Sequence, residues 1–487
     1  MDGGRSSHKN HIWHDYESTC TRVNYGQILE AGLVLTDERL KIIEKPIQLR
    51  CRLKSTVIPS IGALIVNGTT VTQLKSSNKS HYQMILELYN TFKKFSQHGS
   101  YFTGFNNVSF DVEFYRRSLW KNLIPDVYQT NTKGNKHLDI LNVIRAAKKI
   151  NPDVIKTELT EKGHDKFKLD SLSKLNSFNN GKSHNAVTDS LDALSVAKLV
   201  RQNTPEIWEA SLKTTSRGDT ESFIKKNNKL YTSLEYFYGS AKFFLNYEIL
   251  THPVYKWSIN WDTKQNPKNY IDLDRQGLQK AINATPKILR TVKTNKSPVL
   301  LSKDIALGSE PYSKIGINEI QNRIKILQDH PEFIERIKSI LQDIAEERQN
   351  MNQTSLPFEE TLYAGKGHGI PEEKEKNLML KFHEFEWKDK LTLLDKFSDE
   401  RNHFFAKCLI FEEAPDILPK SIYTEMYRHF AQRLLSTNKE NWETTSSFYA
   451  EVDYLREKKY KDDPKMLSII DEYNEYVIEL EKKLENT

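Results

Sequence analysis

Asp15 and Glu17 lie two positions apart in a strand-like stretch, residues 12–17. Side chains alternate along a strand, so the two carboxylates project from one face while His14 and Tyr16 point the other way. Adjacent carboxylates repel unless a cation sits between them, and hard oxygen donors favour Mg2+ or Mn2+. Read alone, Asp-x-Glu is first of all a solvent-facing acidic strand end. Asp111 closes the string Gly104-Phe105-Asn106-Asn107-Val108-Ser109-Phe110-Asp111. Gly and paired Asn suit a tight turn. A helical pattern starts at Asp111, where the helix dipole favours a negative charge; a simple helix cap explains it equally well. The third group is His184-Asn185-Ala186-Val187-Thr188-Asp189. A five-residue offset on an ideal helix separates two side chains by ~140°. His184 and Asp189 therefore converge only if His184 lies in the loop before a helix that holds Asp189 in its first turns. Asn179-Asn180-Gly181 and Lys182-Ser183 suit such a loop. Lys168, Arg116 and Arg145 join this chemistry only if they line the same cleft, since most surface Lys and Arg are solvated.

These side chains need a scaffold. Residues 12–200 read as an α/β unit. Strands are expected at 12–17, 27–36 and, after a turn at Asp37-Glu38, at 40–45, ending before Pro46, which cannot donate to a ladder. Helical periodicity marks 82–95, 111–119, 140–149 and 189–200, which predicts a mixed sheet covered by helices. Over 201–310 helical stripes weaken. Tyr236-Phe237-Tyr238, Phe243-Phe244 and Tyr255-Lys256-Trp257-Ser258-Ile259 predict a small, mostly β domain. From Gly316 the pattern is nearly all helical. Ile317, Ile320, Ile324 and Leu327 form one stripe, and Pro331 suits the first turn of the next helix. Loops are expected at 349–357 and 365–371. The last helix carries Met466, Ile469, Ile470, Tyr473, Val477, Leu480 and Leu484 in a sustained amphipathic pattern. No internal repeat is visible.

Composition bounds the reading. The chain has 487 residues, Lys+Arg 71 against Asp+Glu 65 and a net charge of +6. That mild excess permits an anionic partner without demanding one. No apolar run approaches the ~20 residues of a membrane span, and residues 1–11 lack the apolar core of a secretory leader. Cys20, Cys51 and Cys408 are widely spaced, with no C-x-x-C, so a disulfide framework or cysteine zinc site is not expected, and a reducing cytoplasm is. Between 281 and 300 stand Lys287, Arg290, Lys293 and Lys296 with no Asp or Glu. Such a stretch suits phosphate neutralisation without sequence preference.

Taken in order, Asp-x-Glu, the Asn-Asn turn with its Asp, and His-x-x-x-x-Asp resemble the DEDD exonucleases of the histidine type. The strings HDYES, GFNNVSFD and SHNAVTDSLDALSVAKLV are similar to the bacterial exodeoxyribonuclease I family. Asn295-Lys296-Ser297-Pro298-Val299-Leu300, Gly316-Ile317-Asn318, Leu362-Tyr363-Ala364-Gly365 and Arg401-Asn402 extend the resemblance over most of the chain. It implies a ribonuclease H-like exonuclease domain (1–201), a small β-barrel-like DNA-binding domain with a helical end (202–355) and a helical C-terminal domain (356–487). It further implies 3′→5′ hydrolysis of single-stranded DNA to 5′-mononucleotides, in DNA repair and recombination. Asp15, Glu17, Asp111 and Asp189 would hold two Mg2+ ions (Mn2+ in their place), and His184 would be the general base. Glu17, Lys168, Arg116, Arg145, Asn295 and Lys296 would contact the strand. The implied partner is the acidic C-terminal tail of single-stranded-DNA-binding protein, and the implied state a cytoplasmic, nucleoid-associated monomer. Two residues depart from the pattern: Lys168 stands where Arg is familiar, losing bidentate phosphate geometry, and Ser297 stands where Cys is familiar. The rival readings are an exoribonuclease or proofreading-type exonuclease, against which the residues beyond 200 speak, and a non-catalytic 3′-end-binding protein, in which one acid or His184 would be lost.

Overall fold

The computed structural model describes residues 9–178, 180–181, 184–237, 239–351, 356–364 and 369–485. Asn179, Lys182, Ser183, Tyr238 and, of the two expected loops, residues 352–355 and 365–368 lie outside them; residues 349–351, expected in a loop, continue a helix.

Two apolar strands, β1 (His11–Ser18) and β2 (Ile28–Thr36), pair antiparallel and form the middle of the first sheet. β3 (Ile47–Arg50) joins β2 antiparallel. After α1 (Ile61–Asn67), α2 (Val71–Ser76) and α3 (His81–Phe95), β4 (Tyr101–Gly104) runs parallel to β1. α4 (Asp111–Lys121) then leads to β5 (Lys136–Asp139), parallel to β4, so the order is β3-β2-β1-β4-β5. α5 (Ile140–Ile150), a hairpin of β6 (Glu158–Leu159) and β7 (Asp165–Lys166), α6 (Leu169–Leu175) and α7 (Ala186–Asn203) complete the unit. The sheet is mixed, as the pattern predicts. The period-two alternation of β1 sorts its two faces: Ile12 and Tyr16 pack with residues of α3 and α4, while Trp13 packs with residues of α5 and α7. Asp15 and Glu17 share the parity of Trp13 and therefore face α7.

The third strand is displaced from its expected place. Residues 40–45 form no strand; a single bridge joins Thr36 to Ile42. Asp37 accepts hydrogen bonds from Arg39 N and Lys41 N, and Leu40 has φ 66°, so the backbone there is spent on a turn. The ladder resumes only beyond Pro46.

Residues 201–310 hold more helix than their stripes suggest: α8 (Pro205–Leu212), α9 (Arg217–Lys226) and α10 (Arg275–Asn283) are short and capped by local chemistry. Pro205 opens α8, Ser216 Oγ caps α9 and Asp274 caps α10. Between and after them β8 (Leu230–Phe237), β9 (Ser240–Thr251), β10 (Ser258–Asp262), β11 (Leu289–Val292) and β12 (Leu300–Leu301) build an antiparallel sheet in the order β11-β10-β9-β8-β12. The pairing is that of an open sheet among the described residues, not a closed barrel. Of the stretch 255–259 only Ser258 and Ile259 are strand; His252 Nδ1 accepts from Val254 N and Tyr255 N and turns the chain before them.

Beyond it, α11 (Lys303–Leu307), α12 (Tyr312–Ile315), α13 (Ile317–Asp329) and α14 (Pro331–Met351) follow, with Pro331 in the first turn of α14 as expected. The C-terminal helices, among them Glu373–Glu384, Glu400–Glu413, Lys420–Leu434 and Pro464–Glu485, pack against the first unit. Phe382, Phe405 and Phe430 share one core with Tyr82 and Trp120 of the first unit, and Tyr473 and Val477 share another with Leu64 and Leu74. Among the described residues no helix is long and apolar enough to cross a membrane, and the three cysteines are unpaired.

Candidate active site

Asp15 and Glu17 at the end of β1 meet Asp189 from α7. One carboxylate oxygen of each lies within 4.8 Å of the other two. α7 can come this close because Gly32, opposite Asp15 on β2, has no side chain: a Cβ there would stand 2.0 Å from the Ala186 carbonyl carbon. The arrangement on α7 is the one the spacing requires. His184 precedes the helix in the left-handed region (φ 62°), Asn185 caps it by accepting from Thr188 N, and Asp189 lies in the first turn. The His184 N–H donates to Asp189 Oδ1 at 3.3 Å, and the His184 residue is exposed.

Asp111 arrives from the other face. It is the first residue of α4 and is 4% exposed, and its Oδ1 accepts from Tyr16 N at 3.1 Å. It lies outside the tight triplet but acts on it, being the largest carboxylate influence on Asp15. The turn before it is held by position-specific chemistry. A Cβ on Gly104 would meet His14 O at 2.7 Å; Asn106 takes φ 62° and its N–H donates to Asp139 Oδ1; Asn107 Nδ2 lies 3.2 Å from His14 Nε2.

Four carboxyls crowd together here, and their acidity records it. Burial, then the charges of Asp111, Asp189 and Glu17, raise Asp15 well above the usual carboxylate range. Burial and neighbouring carboxylates push Glu17 to about 8 and Asp189 to about 7, and burial pushes Asp111 to about 8 against hydrogen bonds that pull the other way. Converging hard oxygens with too little positive charge among them fit a divalent cation.

The cations are arranged less simply. Lys168 is exposed at the start of α6. Arg145 lies over the ring of Tyr236 at 3.7 Å, which bridges the first unit to β8. Asn295 Oδ1 accepts from Trp257 Nε1, and Lys293 lies over the same indole. Arg116 and Lys296 converge on one carboxylate, Glu113, at 3.1 and 3.0 Å. Glu113 also accepts from Arg117 and from Tyr363 Oη. Burial raises it, but Arg116, Lys296, Tyr363 and Arg117 prevail and hold it well below the usual range. Lys296 donates in addition to Val108 O, inside the turn that carries Asp111. Arg290 is internal as well, pairing with Asp262 and Glu235 and covering Phe244. The run 287–296 is therefore in part an inter-element clamp rather than an open basic track.

Sequence reasoning missed two acids. Glu113 is signalled by Arg116 and Arg117 at i+3 and i+4, but Lys296 and Tyr363 reach it from far along the chain. Glu30 is signalled only by being a charge inside the apolar strand Ile28–Thr36.

Comparison with known proteins shows what this chain is similar to. The Exonuclease (RNase T) family matches residues 12–197, which contain all five chemical residues. Exodeoxyribonuclease I of Buchnera aphidicola (subspecies Acyrthosiphon pisum) is 25% identical over 355 residues, 68% of this chain and 81% of that one. Exonuclease I of Escherichia coli, solved with a dA16 oligonucleotide, superposes with TM-score 0.81 at 19% identity over 97% of this chain and 100% of that one. A moderately thermophilic exonuclease I from Methylocaldum szegediense gives TM-score 0.82 at 19% identity with the same coverage. Residues 12–197 of the chain match the Exonuclease (RNase T) family, about two thirds of it is similar in sequence to bacterial exodeoxyribonuclease I, and nearly its whole length has the fold of the solved exonuclease I structures.

Proposed function

We propose that the protein is a metal-dependent exonuclease that hydrolyses single-stranded DNA from its 3′ end and releases 5′-mononucleotides. The observation that carries this is the triplet Asp15, Glu17 and Asp189, within 4.8 Å of one another. Asp15, Glu17 and Asp189 would hold Mg2+, or Mn2+ of the same donor preference, and Asp111 would complete the set for a second ion. Bound there, a pair of divalent cations neutralises charge on the attacking and leaving oxygens of a phosphodiester. His184 takes a proton from the attacking water, a task suited to an imidazole near neutral pH. Lys168, Arg145 and Asn295 lead the sugar–phosphate chain toward the carboxylates, Glu17 contacts its terminal nucleotide, and Arg116 and Lys296, still paired with Glu113, contact the strand through their excess positive charge. The domain limits 1–201, 202–355 and 356–487 are part of the same proposal, with the first unit cutting and the rest gripping the strand. A role in repair and recombination, a cytoplasmic monomer, and docking of the acidic tail of single-stranded-DNA-binding protein go with it.

The test uses one oligomer labelled at either end, single- or double-stranded, and an RNA of equal sequence. The 3′ label is expected to leave first, as mononucleotide, from single-stranded DNA, and chelation stops it. No release, or faster loss from RNA, overturns the proposal.

A further inference from the structure

Glu30 faces Glu17 across the β1–β2 ladder but does not join the metal-binding triplet. Its residue is only 2% exposed. Its oxygens are spent on protein donors. Oε1 accepts from Gln48 Nε2 at 2.7 Å, from Asn185 Nδ2 at 3.1 Å and from Ala186 N at 3.2 Å, and Oε2 pairs with the Arg50 guanidinium. Two of these four donors belong to the start of α7. The Ala186 N–H is among the first of a helix, which have no partner within it, and a carboxylate is favoured there by the dipole. Asn185 is the cap itself: gripped by Glu30 through Nδ2, it turns Oδ1 to Thr188 N. A further buried carboxylate next to Asp15, Glu17 and Asp189 would worsen their repulsion; Arg50 supplies the compensating charge.

The attachment is reinforced one residue pair along. Ser190 Oγ donates to Gly32 O at 3.1 Å, and bare Gly32 lets the helix backbone rest on β2. His184 precedes these ties and Asp189 lies between them. His184 holds an uncommon φ for a residue with a side chain, and its N–H reaches Asp189 across the anchored residues.

We infer that Glu30 is a positioning residue: it fastens the start of α7 to β2 and so sets His184 and Asp189 against Asp15 and Glu17. What that position serves rests on the exonuclease reading; the fastening does not. The test is made on the full chain with Glu30→Ala, Glu30→Gln and Glu30→Asp. In E30A kcat falls about 100-fold, since small misplacements of reacting groups are that costly, while KM for a single-stranded oligomer is unchanged. The Mn2+ dissociation constant, read by electron paramagnetic resonance, rises about tenfold. Amides of 184–190 exchange hydrogen about tenfold faster. E30Q keeps an acceptor at the same reach and restores all three to within about fivefold. Unchanged exchange, Mn2+ affinity and kcat in E30A overturn the inference, and so does E30Q falling as far as E30A. If E30A does not fold, E30D carries the test, since it keeps the charge but withdraws the acceptor by one methylene; wild-type behaviour in E30D overturns the inference. If the wild-type chain releases no nucleotide, the exonuclease reading fails, and the exchange and Mn2+ readings still decide the role of Glu30.

Discussion

Asp15 and Glu17 share a strand face, and Asp189 is laid against them because Gly32 leaves room for α7. Without a cation the three carboxylates and nearby Asp111 work against folding, since each raises the cost of ionising the others. Removing one charge should therefore separate stability from activity. In chelator, Asp15→Asn is expected to raise the melting temperature by about 3 °C, roughly 1 kcal/mol in a domain of this size. The same substitution, and Asp189→Ala, should lower nucleotide release at least ~1,000-fold, about 4 kcal/mol of transition-state stabilisation. Binding of a single-stranded oligomer in chelator should persist in both. Calorimetry, product release and fluorescence anisotropy read the three quantities; wild-type turnover in either variant would remove the acid from the catalytic set.

At the scale of the element, β1 is seated by His11, which is 1% exposed and stacked on Tyr101 at 4.9 Å, with Nδ1 3.1 Å from Thr103 Oγ1. Burial, then the charge of Arg201, lowers its pKa to about 3. Below pH ~6.5 the unfolded chain takes up a proton at this position that the native ring refuses, so the His11 contribution to stability is intact above pH ~6.5 and drains away as pH falls toward 3. His11→Phe keeps the stacking and removes the titration. Measured by denaturant unfolding, the stability of H11F relative to wild type should improve by roughly 1 kcal/mol per pH unit between pH 6 and 4. A difference that is flat with pH would show that the ring is charged in the native state.

Across the whole molecule, Glu113 joins three stretches of chain: Arg116 and Arg117 from its own helix, Lys296 from the loop between β11 and β12, and Tyr363 from the C-terminal part. Glu113 is only 14% exposed on its side chain, and removing one partner of a largely buried ion network leaves the others uncompensated. Glu113→Gln should cost about 3 kcal/mol of unfolding free energy. Lys296→Met should likewise register in stability. Lys168→Met, at an exposed site, should leave stability within about 0.5 kcal/mol and instead lower the slope of log affinity against log salt by about one. Equal effects of the two lysines on stability would contradict the clamp.

What could be read from the linear chain is what depends on neighbours in sequence. Period-two alternation placed Asp15 and Glu17 together, a five-residue offset dictated a loop His184 and a first-turn Asp189, and Gly104 with two Asn residues marked the turn before Asp111. Where local signals misled, a nearby competitor prevailed: the Asp37 turn took the backbone that residues 40–45 would have paired, and caps at Pro205, Ser216 and Asp274 made helices too short for a stripe. Partnership across the chain left no local trace. Whether Lys296 meets solvent or Glu113, and whether Glu30 is a ligand or an anchor, turns on residues 155 to 183 positions away. The side-chain types say only that such groups need a partner when buried; which partner arrives is a matter of three-dimensional packing, and here packing spends one acid on α7 and another on the junction, leaving Asp15, Glu17 and Asp189 to share the want of a cation.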